Sequence, residues 1–194
     1  CRAAPSQLMR STLGATWRTM RNKEVMAANL DHWPLPDAYL LELGRLAAAW
    51  SVLEVQLDLY LGKLAGFDNL TDFRPFVLIR HSAFPQKLDM LAALCDQLQH
   101  KFPQLKRFED VVSKLKAAQK SRNQFLHNGL TLDDTTGAVH MSVGSARGKV
   151  KVDVKKVSLA DIRRAAMEIH LAMLALHLLV TKKEYRPVWE KRGA

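Results

Sequence analysis

The chain has 194 residues, 48% hydrophobic and 25% charged, which fits one globular domain with a real core, alone or with short arms. Twenty-nine Lys and Arg against nineteen Asp and Glu leave a net charge of +10. That balance favours a polyanion or an acidic protein face as partner, or simply serves solubility. The two cysteines, Cys1 and Cys95, build neither a disulfide framework nor a zinc site, so a reducing, cytoplasmic setting is expected.

The first residue is Cys1, which reads as a trimmed or processed start. Residues 1–33 form a basic N-terminal arm. Arg2, Arg10, Arg18, Arg21 and Lys23 precede the first acidic residue, Glu24, and weak helical periodicity around Trp17, Met20 and Val25 predicts a short helix. His32-Trp33-Pro34-Leu35-Pro36 breaks the chain, with Trp33 a candidate packing residue.

A long helix is predicted from Asp37 to Leu64. Leu43, Leu46, Trp50, Leu53, Leu57, Tyr60 and Leu64 alternate spacings of three and four, the seam of a bundle helix, and Gly66 suits its stop. A short helix ending near Arg80-His81 is expected between Asn69 and Ser82. The second strong helix spans Phe84 to Phe102, with Ser82 as N-cap, Pro85 in the first turn and Leu88, Leu91, Cys95, Leu98 and Phe102 on its apolar face. Cys95 is expected to be a buried, inert thiol.

The third runs from Gln104 to His127 on Leu105, Phe108, Val112, Leu115 and Ala118, with Asn128-Gly129 as its stop. Continued, that seam places Arg122 where an apolar residue is expected. A half-buried guanidinium needs a partner, and Glu54 of the first helix is a candidate.

The period then changes. Leu130–Asp133, Val139–Val143 and Lys149–Val154 read as three strands joined by turns at Asp133–Gly137 and Gly144–Gly148. In the third strand Val150, Val152 and Val154 alternate with Lys149, Lys151 and Asp153, predicting an apolar face toward the core and a wet face carrying the lysines. The last helix opens on Ser158-Leu159-Ala160-Asp161, a capping-box pattern, and keeps core spacing through Ile162, Ala166, Ile169, Met173, Leu176 and Val180. Ala165–Val180 is the longest apolar run. Glu168, His170 and His177 interrupt it, so a buried helix rather than a membrane span is expected. A basic tail covers 185–194.

The expected fold is therefore mostly α. It is an antiparallel bundle of four to five helices over residues 34–184, with a three-stranded antiparallel β-meander between the last two core helices.

The segment Arg122-Asn123-Gln124-Phe125-Leu126-His127-Asn128, at the end of the third core helix, carries the most chemistry. An Arg followed by a polar residue, then a His after four intervening positions, in a bundle of this kind, resembles the HEPN superfamily over about residues 37–179. The resemblance implies a metal-independent endoribonuclease or RNA-binding protein of toxin or defence type. It also implies a homodimer with the motif at its interface and a cognate antitoxin or other protein partner. His127 would move a proton, Arg122 would hold the phosphate, and Asn123, with Asn128 in support, would orient the imidazole. No cofactor or metal is implied.

Helical geometry limits this reading. Residues turn by about 100°, so Asn123 and His127 share a face while Arg122 and His127 diverge by about 140°. Convergence is expected to need local unwinding before Asn128-Gly129 or a second subunit. The bland alternative pairs Arg122 with Glu54 and has His127 bind a late helix carbonyl. A non-catalytic dimerisation or interaction module would then remain.

Other polar groups are weaker. His170 and His177 lie two turns apart, too far for a metal pair, and read as helix-face residues. Arg80-His81 reads as a surface loop, and Asp133-Asp134 as turn formers. Arg147, Lys149, Lys151, Lys155 and Lys156 concentrate positive charge on the meander, as an RNA-binding surface or as protection of a strand edge.

Overall fold

The computed structural model describes residues 33–67, 69, 72–145 and 151–190. The chain divides into Cys1–Pro34 and Leu35–Ala194. The predicted arm helix lies outside the described residues, and Trp33 is exposed.

Among the described residues of the second unit there are five α-helices and one sheet: α1 (Asp37–Leu64), α2 (Arg74–Ile79), α3 (Phe84–Leu98), α4 (Phe108–Leu126), the strands β1 (Gly129–Leu132), β2 (Val139–Ser145) and β3 (Lys151–Lys156), and α5 (Leu159–Thr181). The mostly helical bundle with its meander between the last two helices agrees with the sequence reading.

Helix α1 has the predicted bounds. Asp37 suits the positive dipole end, and Gly66, at φ +90°, turns the chain where a side chain would be strained. Its seam buries Leu46, Trp50, Leu53, Leu57 and Leu61. Helix α5 packs along α1 and α4, and α3 closes the bundle against the same two helices. Gly62 lets α2 approach α1, because a Cβ there would stand 2.9 Å from Pro75 Cβ. Cys95 is fully buried, and desolvation pushes its thiol up to about 11.

Several boundaries differ from expectation. Helix α3 begins at an Ala83 N-cap, not Ser82, and Gln86 Oε1 reaches back to accept the Ala83 N–H at 2.8 Å. It ends at Leu98, whose carbonyl accepts from both Lys101 and Phe102 N–H, so Phe102 falls outside the helix. Residues Pro103–Arg107 form a 3-10 turn that delivers buried Leu105 to the core before α4 starts.

The sheet is an antiparallel meander in the order β1-β2-β3, with Leu130 opposite Met141 and Met141 opposite Lys155. Val139 and Met141 are buried and tie β2 to the core. The reading of β3 needs correction. Directly opposed residues share a face, so Lys155 and Asp153 lie on the side of Met141 and Val143, while Val152 and Val154 lie on the opposite face with Ser142 and Gly144. Both valines are exposed, at 70% and 59%. Every residue of β3 is exposed, so its alternation faces water on both sides.

The capping box at α5 forms as predicted, with Ser158 N–H donating to Asp161 Oδ2 at 2.9 Å and Ser158 Oγ accepting the Asp161 N–H. By length and composition alone α5 would pass for a membrane-spanning helix. Here it is a core helix, burying Ile162, Ile169, Ala172 and Leu176.

Candidate functional site

Arg122 and His127 meet within one chain. Helix α4 ends at Leu126, and His127 is its C-cap, at φ −112° and ψ −8°. Relaxed backbone at that position lets the imidazole turn toward Arg122 despite the angular divergence of the two helix positions. Arg122 Nη1 contacts His127 Nε2 and donates to Asn123 Oδ1 at 3.0 Å. His127 N–H still donates to the Asn123 carbonyl at 3.2 Å, and no second subunit is needed for the pair to touch.

The support for Arg122 was not foreseen. Its guanidinium carbon lies 5.4 Å from the centroid of the Trp50 ring, a cation–π contact across the α1–α4 contact. No ion pair joins Arg122 to Glu54, which is half-buried one helical turn beyond Trp50. The sequence reading sought a carboxylate for the seam Arg. The seam itself offered an aromatic face, and Trp50 on the same apolar stripe was the available signal. Arg122 Nε is buried without a hydrogen-bond partner.

Asn128 takes the role proposed for His127 in the bland reading. Its Nδ2 donates to the Gln124 carbonyl at 2.8 Å and closes the helix end, which leaves the exposed His127 ring free of capping work. The chain thus presents an exposed imidazole beside a half-buried guanidinium held by an aromatic ring and an amide oxygen.

The basic surface is placed differently. Arg147 and Lys149 lie outside the described residues. Lys151, Lys155 and Lys156 are exposed, and Lys155 Nζ sits 3.3 Å from Asp153 Oδ2. Lys155 and Lys156 join Arg164, Asp161, Glu168, Ser121 and Gln124 around a groove of about 260 Å³ between α4, β3 and α5. The groove is mixed in sign, and Ser121 Oγ donates to Glu168 Oε2 at 2.5 Å across it. Neither Arg122 nor His127 lines this groove.

Three further polar constellations carry no local sequence signature. Buried Asp58 pairs with buried Lys87 at 2.5 Å, and Arg80, in an exposed turn as expected, reaches it at 3.7 Å. Buried Glu42 accepts from Arg163 Nε and Arg45 Nη1, both at 2.8 Å. The Arg163 hydrogen bond holds that carboxyl below its usual range against the opposing effect of burial. His170 and His177 face the chain beyond α5 rather than open solvent. Val188 N–H donates to His170 Nε2 at 3.2 Å, Trp189 meets the His170 ring edge-on, and Tyr185 packs on His177. Desolvation lowers the pKa of both histidines. The described part of the tail is thus held on α5 through Tyr185, Val188 and Trp189, and its last residues lie outside the described ones. No cluster of three or more metal-ligating His, Cys, Asp or Glu occurs among the described residues.

Comparison with family models, curated proteins and solved structures finds no match to this chain.

Proposed function

We propose that this chain is a HEPN-like, metal-independent endoribonuclease whose site is Arg122, Asn123 and His127. The observation that carries the reading is the contact of Arg122 Nη1 with His127 Nε2 at the exposed end of α4, with Asn123 Oδ1 on the same guanidinium nitrogen. An RNA phosphate would take over the guanidinium, whose planar fork matches two oxygens. That exchange frees Nε2 of His127 to accept the proton of the attacking 2′-hydroxyl, while Arg122 stabilises the charge gathering on the phosphate. Trp50 holds the guanidinium in place through the exchange. The net charge of +10 supports RNA as the polyanion.

The test is cleavage of a mixed RNA panel by the full chain in excess EDTA. Wild type is expected to cut, and His127→Ala and Arg122→Ala are each expected to lose at least about a hundredfold in rate. Equal cleavage by wild type and His127→Ala, or none by wild type, sinks the reading.

A second reading, a non-catalytic interaction module, draws on a specific observation. Arg122 is half-buried over Trp50, so the contact with His127 also serves as an ordinary closure of the α4 end. Under that reading Arg122→Ala lowers stability and leaves RNA unaffected.

A further inference from the structure

Helix α1 carries a second apolar seam. Successive positions rotate by about 100°, which sets Leu41, Ala48, Val52, Val55 and Leu59 in one narrow band, diametrically opposite the core face of Trp50 and Leu57. From Ala48 onward the spacings are four, three and four, the pattern by which one helix receives another. No partner within the described fold takes up this seam. Leu41, Val52, Val55 and Leu59 are 45% to 55% exposed, on a helix whose other face is fully used. Scattered exposed apolar residues are ordinary, but a continuous seam marks an interaction surface.

The seam continues onto α2. Leu59, Phe73 and Phe76 line a cavity of about 540 Å³ between α1 and α2, closed below by Pro75 against Gly62. Phe73 is 71% exposed at its rim. The surface is therefore a straight ridge about 27 Å long, from Leu41 to Leu59, ending in a concave seat.

The charges around this ridge identify the occupant. Beside the seam, Glu42 is shared by two arginines, Arg45 and Arg163. At its far end, Asp58 is shared by Lys87 and Arg80. Each buried carboxylate therefore leaves one cation in surplus, and exposed Lys63 adds a third. Asp72 is neutralised by Arg74, so Asp37 at the helix start is the one acid beside the ridge left without an ion pair among the described residues. A second copy of this chain would bring the same cationic rim against itself. A bilayer would meet the ridge as a flat surface and leave the seat between α1 and α2 unfilled.

We propose that the outer face of α1, with α2, docks an acidic amphipathic helix of another protein. Its apolar stripe lies along Leu41 to Leu59, one bulky side chain fills the seat at Phe73 and Phe76, and its flanking carboxylates meet Arg45, Lys63 and Arg80. This surface is separate from the Arg122–His127 site and holds whether or not that site cleaves RNA.

The test uses the full chain and labelled synthetic helical peptides of about twenty residues, followed by fluorescence anisotropy. One peptide carries leucines at three-four spacing flanked by glutamates, a second carries lysines in place of the glutamates, and a third scrambles the first. The glutamate helix is expected to bind at least about tenfold tighter than either of the others, and to weaken as salt rises. Val55→Ser with Leu59→Ser is expected to cut that affinity by about tenfold or more while the thermal midpoint stays near wild type, since both side chains are exposed. Lys63→Glu is expected to weaken the glutamate helix and strengthen the lysine helix.

Equal binding of the scrambled peptide, or an unaffected double-serine variant, overturns the proposal. So does a wild-type dimer that the double-serine variant converts to monomer, which makes a second copy the occupant. Uptake by anionic phosphatidylglycerol vesicles that the same variant abolishes assigns the face to a membrane instead. Displacement of the glutamate helix by a synthetic peptide of residues 1–32 assigns it to the chain's own arm.

Discussion

Replacing Lys87 by Met removes the cation from a carboxylate that has almost no water. The Lys87 and Asp58 side chains are 6% and 2% exposed, and their charged atoms lie 2.5 Å apart. A buried ion pair gains little over a well-packed apolar pair, but orphaning one member costs about 3–5 kcal/mol, since the remaining charge keeps its desolvation penalty. Arg80 stays 3.7 Å from Asp58, on a side chain that is 50% exposed, and offsets part of that penalty. The loss should therefore fall at the lower end, about 3 kcal/mol. With a urea m-value of about 2 kcal/mol/M, Lys87→Met moves the unfolding midpoint down by about 1.5 M. Adding Asp58→Leu removes the stranded charge, so the double variant should return to within about 1 kcal/mol of wild type. Urea titrations of the four proteins, followed by far-UV circular dichroism, complete the cycle. A midpoint shift under about 0.5 M for Lys87→Met, or a double variant as unstable as the single one, refutes the reasoning.

Three other perturbations follow from the same structure. Leu53→Ala opens a cavity at a fully buried seam position and should cost about 2–5 kcal/mol, read by the same titration; a loss under about 1 kcal/mol would mean the bundle centre collapses around the gap. The folded histidines His170 and His177 sit below their ordinary 6.5, so docking of the tail is fully present above that value and is lost as pH falls through the lowered values. Protection of the Val188 amide against hydrogen exchange, corrected for the intrinsic rate, should drop between about pH 8 and about pH 5, and unchanged protection contradicts the His170 contact. With its thiol pushed up to about 11, Cys95 should react with a disulfide reagent near pH 8 at least about a hundredfold slower in folded Cys1→Ser protein than in urea.

How far the sequence alone reached depends on whether a feature is local. The seams of α1 and α5, the Ser158–Asp161 cap and the turn at Gly66 depend on residues within one or two helical turns, and each stands where the pattern predicts. The approach of His127 to Arg122 was legible as a demand, because rotation along a helix is fixed and the motif could close only at the helix end or through a second subunit.

Longer-range matters were not legible. Trp50 under Arg122, Lys87 on Asp58 and Arg163 on Glu42 join residues far apart in the chain, and one-dimensional spacing carries no information about which helix faces which. The valines of β3 show the same limit from the other side. Their alternation was read correctly, but its direction is set by which strand reaches the helices, and that is β2, through Val139 and Met141. The second seam of α1 belongs to both accounts. Its spacing is written in the sequence, yet any helix apolar on two sides reads as deeply buried. Only the packing of α3, α4 and α5 around the opposite side shows that this seam is left facing outward, bordered by surplus cations.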